Sequence, residues 1–369
     1  MASPHGRSLI IVSATGALAL GLLPNIVQAV PVVGRELWWM AAVALLALLV
    51  FSYHWAKLFS RDGVGIVLFL HQPGPRGNRP KEPTIAAMRN HALRRHARCF
   101  VLDAEELLKS DGDERESRGD RVSFLYQVVQ ARFREEVHGM DDGGAGSGPL
   151  GPVSLYLTAR LPEAYRLGRE LHGHGQARLA LMHQSEEAGR GLFEAVTLHS
   201  GLRRPPTPDE VRLLNEVLAV QVPEDPQRML DAADIRPFPF SPGARPPARY
   251  ALILRGRHAP NLIQGALAAA RTGRSDGYLF PEGTRPTDNR CAGALVIDTK
   301  EGVIPDERRS YEALIRYVAY CWQGHLDRWG RQRELPSVRG ALFTNVPVPL
   351  VAALGSVIGH DTDLIPYRR

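Results

Sequence analysis

Cysteine is scarce. Cys99, Cys291 and Cys321 are the three in 369 residues, far apart and with no Cys-x-x-Cys pair. That spacing argues against a disulfide framework and a thiolate metal site, and it suits a reducing compartment. The chain also lacks a Walker loop, a Gly-x-Ser-x-Gly elbow, a His-Glu-x-x-His pair and any zinc-ligand spacing. No catalytic residue, metal ligand or cofactor is therefore assigned. Acidic residues are outnumbered 39 to 45 by Lys and Arg, for a net charge of +6. This balance suits an anionic partner, a nucleotide or a lipid headgroup, although an Arg-rich composition alone produces the same total. With 44% hydrophobic and 23% charged residues the chain is otherwise ordinary for a globular protein.

Charge is absent from two early stretches. Leu9 to Val33 is an uncharged run of 25 residues, softened by Pro24 and Asn25, and Leu37 to Tyr53 adds 17 more. Each is long enough to predict a membrane-spanning helix. Trp38, Trp39, Tyr53 and Trp55 flank the second run as interfacial aromatics do, and Arg7, Lys57 and Arg61 put both ends in the cytoplasm. The expectation is a two-helix transmembrane hairpin over 1–60, with the remainder cytoplasmic.

Beyond it, Val64–Leu70 and Cys99–Leu102 read as strands, and Thr84–Ala97 and Val122–Val137 as helices. These predict a small α/β connecting module over 61–140. Asp141 to Gly151 is a glycine-rich linker, so a boundary is placed there.

The last thirty residues are the most organised. Val338–Phe343 is a short apolar run, fit for a buried strand. Thr344 and Asn345 precede a helix opened by Pro347 and Pro349, Leu350, Leu354 and Ile358 recur at helical spacing, Gly359 closes it, and Leu364–Tyr367 returns as a strand. This is one unit of a Rossmann-like sheet, whose ligands sit beside the strands' carboxyl ends. A strand ending Leu-Phe, a Pro-opened helix with Ala-x-x-Leu-Gly and a final strand closing on Tyr resembles the C-terminus of SAVED domains. Those are fused pairs of CARF-like Rossmann units that sense cyclic oligonucleotides in bacterial anti-phage (CBASS) systems. The resemblance implies an α/β fold of two tandem Rossmann-like units over 152–369, in halves of about 152–202 and 249–369 with a Pro-rich connector between. It also implies a non-enzymatic effector whose ligand is a cyclic di-, tri- or tetranucleotide made by a cognate nucleotidyltransferase. Binding would drive self-association into an oligomer or filament, and the hairpins would then breach the lipid bilayer of the bacterial inner membrane; DNA is not an expected partner.

The two halves echo each other. Val153–Thr158 leads through Arg160 and Pro162 into a helix from Glu163, and Tyr250–Leu254 leads through Arg257, His258 and Pro260 into a helix from Asn261. A loop between a strand end and a helix N-terminus gathers N–H donors that suit phosphate, and an adjacent Arg adds a bidentate donor. Ordinary solvated arginines remain the competing reading. His183 ends another strand, Ala177–Met182, where it is either structural or in reach of a base. The expected ligand contacts are Thr158, Arg160, His183, Arg257, His258, Glu282, Arg285, Thr344 and Asn345.

Glu282 and Arg285 come from a string with a second resemblance. Phe280-Pro-Glu-Gly-Thr-Arg285 is similar to the phosphate-binding block of glycerolipid acyltransferases, which implies, as the alternative function, a membrane-bound lysophosphatidate-type enzyme. Those enzymes also need a His-x4-Asp dyad as general base. His71, His183, His199 and His258 are followed at the fifth position by Arg76, Ala188, Arg204 and Ile263, so none supplies it.

Overall fold

The computed structural model describes residues 42–43, 45–53, 63–70, 81–103, 123, 126–131, 152–171, 179–185, 191–239, 247–274, 277–281, 284–334 and 337–367. Its strands are β1 (Val64–Phe69), β2 (Arg98–Asp103), β3 (Val153–Thr158), β4 (Leu179–Gln184), β5 (Leu192–Leu198), β6 (Asp234–Pro237), β7 (Arg249–Arg255), β8 (Gly293–Asp298), β9 (Arg339–Thr344) and β10 (Thr362–Leu364). Its helices are α1 (Lys81–Arg95), α2 (Leu161–Glu170), α3 (Pro208–Val217), α4 (Pro226–Asp231), α5 (Leu262–Thr272), α6 (Pro286–Asn289), α7 (Arg308–Arg333) and α8 (Val348–Ile358).

Two expectations are corrected. Among the described residues no helix is long and apolar enough to cross a membrane, so neither the transmembrane hairpin of the fold class nor the multi-pass inner-membrane location is retained. A span needs about 20 consecutive apolar residues. The run 9–33 lies outside the described residues, and within 37–53 only 42–43 and 45–53 are described as helical. The linker 141–151 also lies outside them.

The strands form two five-stranded sheets, ordered β2-β1-β3-β4-β5 and β10-β9-β7-β8-β6. The 61–140 stretch thus shares a sheet with the segment after the linker: β1 pairs in parallel with β3, Val64 opposite Val153 and Phe69 opposite Thr158. The sequence-drawn boundary at 141–151 falls within that sheet.

Read from β2, the first sheet runs 2-1-3-4; read from β8, the second runs 8-7-9-10. The unit is therefore duplicated, with β5 added antiparallel to β4 in the first half and β6 antiparallel to β8 in the second. This pairing differs from the echo read in sequence, because β3 and α2 correspond to β9 and α8 rather than to β7 and α5. With that match, residues 153–171 align with 340–358 without a gap. Leu155 meets Leu342, Tyr156 meets Phe343, Pro162 meets Pro349, Leu167 meets Leu354, Gly168 meets Gly355 and Leu171 meets Ile358.

Strand periodicity sorts these side chains into layers. Val64, Ile66 and Leu68, with Tyr250, Leu252 and Leu254, point into one core that both halves share with α2, α3, α7 and α8. The alternate residues face outward. Val67 and Tyr156 pack under Met88 and Ala92 of α1, while Ala251, Ile253 and Phe343 pack under Ala266, Ala269 and Ala270 of α5. At the centre α2 crosses α8 so closely that a Cβ built on Gly168 would lie 1.9 Å from the Ala352 carbonyl oxygen, and one on Gly355 would lie 2.1 Å from that of Tyr165. Thr362 ties the halves further. Its carbonyl accepts from Tyr165 Oη at 2.9 Å, and its hydroxyl accepts from Trp322 Nε1 at 2.9 Å.

Candidate functional site

In each half the chain leaves its first strand toward one neighbour and returns on the other side. That makes switch points between β1 and β3 and between β7 and β9, where helices diverge to opposite faces and a crevice opens at the carboxyl ends. The loop 71–80 after β1 lies outside the described residues. The other three strand ends are described.

The second-half switch point is built by Asn345, just beyond β9. Its Oδ1 accepts from the Gly256 N–H at 3.0 Å and from the Arg257 N–H at 3.4 Å, and its Nδ2 donates to the Arg257 carbonyl at 2.9 Å. One side chain thereby fixes the β7–α5 loop through the backbone. Thr344 is buried, with its hydroxyl accepting from the Val346 N–H at 3.3 Å. Arg255, the last residue of β7, is held by Asp298 through a bidentate pair at 2.6 and 2.8 Å, so its charge is spent within the sheet. Arg257 and His258 are left exposed at the surface, just ahead of α5. The first turn of α5 carries no acidic residue; its Leu262 N–H already donates to the Ala259 carbonyl at 3.1 Å, and the dipole at this N-terminus favours an anion.

The first-half switch point differs in charge. Thr158 ends β3, half-buried, with its carbonyl accepting from the Leu70 N–H at 2.8 Å. Arg160 is the exposed N-cap of α2, and its backbone N–H donates to the Glu163 carboxylate at 2.9 Å. At the matching positions of the second half stand Pro347 and Leu350.

His183 lies where the halves meet. Its Nε2 is 3.8 Å from Asp306 Oδ1, and its ring packs edge-on to Phe193 and tilted against Tyr311. Asp306, in the loop between β8 and α7, also accepts from Ser185 Oγ at 2.8 Å and from Tyr311 Oη at 2.5 Å. Beside it Arg308 reaches Glu194 of β5 at 2.7 Å, and Glu194 also takes Arg95 of α1. Burial alone raises the Glu194 carboxyl, but hydrogen bonds from Thr197 and Arg95 and the charges of Arg308 and Arg95 outweigh it and hold it below its ordinary value. A shallow groove runs here between Leu192, Phe193 and Glu194 on one side and Asp306, Glu307 and Arg308 on the other. Sequence reasoning missed Asp306, Glu194 and Tyr311, since nothing local marks a partner 121 residues away.

Arg285 sits elsewhere. It caps the four-residue α6 and pairs with Asp288 at 3.3 Å. The neighbouring Asn289 binds Thr284 Oγ1 at 2.9 Å and Arg249 Nη1 at 3.2 Å. Arg249 opens β7, so Thr284, Arg285 and Asn289 sit at the amino edge of the sheet, opposite the switch points. Glu282 lies outside the described residues. The eight described contacts of the nine expected therefore separate into Arg257, His258, Thr344 and Asn345 together, Thr158 and Arg160 on the other half, His183 between the halves, and Arg285 on the far edge.

Among the described residues no group of three His, Cys, Asp or Glu side chains is placed to hold a metal ion. No family model matches the sequence, and no curated protein matches it. Solved structures of the Acinetobacter baumannii Cap4 SAVED/CARF-domain receptor are similar. The one with the cyclic trinucleotide 2'3'3'-cAAA shows 9% identity and a TM-score of 0.38, over 85% of this chain and 50% of that one. The one with 3'3'3'-cAAA shows 9% identity and 0.37, over 85% and 51%. The chain spans about half the length of those receptors, and a likeness this distant carries no argument about what it binds.

Proposed function

We propose that the carboxyl edges of this duplicated α/β pair bind a cyclic oligonucleotide and that the protein is a receptor rather than an enzyme. The observation that carries the reading is the second-half switch point. There Asn345 fixes the backbone at 256–257 and leaves Arg257 and His258 exposed ahead of an acid-free helix N-terminus. Arg257 is the phosphate ligand, with α5's N–H groups behind it, and His258 lies against the sugar or base. Thr158 and Arg160 offer a second contact on the other half, so a ligand with repeated phosphates is served twice. In the CBASS setting that the sequence resemblance implies, binding promotes assembly of copies. Membrane disruption has no part in this reading, and the acyltransferase alternative lacks the His-x4-Asp base.

The test mixes the full chain with cyclic di-, tri- and tetranucleotides and follows thermal shift and light scattering together. A ligand that raises the melting temperature is expected. Arg257→Ala is expected to weaken binding about 10- to 100-fold, the value of a charge-assisted contact, in protein whose ligand-free melting confirms that it is folded. Arg285→Ala is expected to bind as the parent does. Silence across the panel from well-folded protein overturns the reading.

A further inference from the structure

The segment 299–308, which joins β8 to the first residue of α7, touches both places described above. Near its start Gly302 has φ +67° and lies so close to the β7–α5 loop that an added Cβ would sit 3.2 Å from His258 Cα. Left-handed backbone and close approach both call for glycine there. Ile304, 4% exposed, packs its Cδ1 against Gly256. Two residues on, Asp306 holds Ser185 of the first half and lies against His183, and Arg308 holds Glu194. One short segment is thus wedged under the Arg257–His258 loop at one end and bonded to β4 and β5 of the other half at its far end.

We propose that residues 299–308 are a strap that couples the second-half switch-point loop to the first half, so that a change at Arg257 and His258 reaches the seam between halves through Asp306. A packed segment with fixed contacts at both ends transmits displacement, and the coupling is reciprocal. Its meaning for signalling rests on the receptor reading; the strap itself does not.

Amide hydrogen exchange on the full chain, without ligand, tests it. Asp306→Ala removes the acceptor for Ser185 and Tyr311. Faster exchange is expected at Ser185, which Asp306 touches, and also, by about tenfold, at Gly256 and Arg257, which it does not touch. Gly302→Ala, the reverse perturbation, is expected to speed exchange at Ser185. The amides of Ala341 to Phe343 inside β9 serve as the control. If Asp306→Ala raises these too, the milder Asp306→Asn decides the question, with a smaller effect expected at the same sites. Unchanged exchange at Gly256 and Arg257 in a variant whose β9 control is intact overturns the strap. Failure to bind any cyclic oligonucleotide overturns the receptor reading and leaves the exchange result standing.

Discussion

Gly168→Ala is the sharpest test of how the two halves are joined, because two known effects of the change have opposite signs. Within a helix, replacing Gly by Ala normally stabilises by about 1 kcal/mol. Here the new methyl would lie 1.9 Å from the Ala352 carbonyl oxygen. Restoring an ordinary carbon–oxygen contact of about 3.3 Å means parting α2 and α8 by roughly 1.4 Å. The obstacle is backbone, so no side chain can rotate away. Overpacking of this kind costs about 1–3 kcal/mol, at the upper end when backbones collide. The net expectation is a loss of about 1–2 kcal/mol, read from the urea midpoint at unchanged slope. Gly355→Ala, whose methyl would lie 2.1 Å from the Tyr165 carbonyl oxygen, is expected to match it. The double variant should lose less than the sum, because helices already parted need not part again. A neutral or stabilised Gly168→Ala protein would refute the close crossing.

His325, buried in α7, supplies a pH dependence. Burial, then the charge of Arg328, lowers its pKa from 6.5 to about 4, against a backbone hydrogen bond involving Leu230 and the charge of Asp231. The unfolded chain therefore binds the proton more readily, and stability should fall as pH drops from about 6.5 toward 4, by up to about 2 kcal/mol after allowance for solvent access. Urea midpoints across that range should flatten in His325→Phe, and an unchanged slope in the variant would clear the residue of the effect. Asn345→Ala leaves the Gly256 and Arg257 N–H groups without their acceptor, a loss of about 1–3 kcal/mol concentrated in one loop. Exchange at those two amides should accelerate well beyond any change in the urea midpoint, and equal changes in both would mean that Asn345 supports the whole fold rather than the loop.

The C-terminal unit was legible because its signals are local. β9 is a short apolar run, Pro347 and Pro349 mark a helix start, and Leu350, Leu354 and Ile358 recur on one face. Parallel pairing over distance has no such mark. The apolar run Val64–Leu70 announces a strand, but nothing in it says that its neighbour is Val153–Thr158 rather than a strand of a separate module. The same limit hid Asp306, whose partners Ser185 and His183 belong to the other half. The apolar runs before residue 54 raise a different problem, since hydropathy reports what a segment avoids and not what covers it.

The echo between the halves was read from the wrong residues, for a physical reason. Arg160 and Arg257 drew attention as charges at strand ends, yet by sheet order the residue matching Arg160 is Pro347, and the one matching Glu163 is Leu350. What repeats at the fixed offset is packing: Leu155 with Leu342, Leu167 with Leu354, and Gly168 with Gly355. The two glycines meet in one crossing, and the leucines fill the shared core, so a change in either half disturbs both. Arg160 and Arg257 lie exposed in the loops beyond the strand ends, outside that packed frame. The duplicated frame is therefore symmetric where it is buried and unequal where a ligand would arrive. Under the proposed receptor reading an anion would meet an acid-free α5 N-terminus with Arg257 in the second half, and Arg160 beside the Glu163 carboxylate in the first. On this chemistry Arg257→Ala should weaken a cyclic oligonucleotide more than Arg160→Ala does, and equal losses would show that the two halves contribute alike.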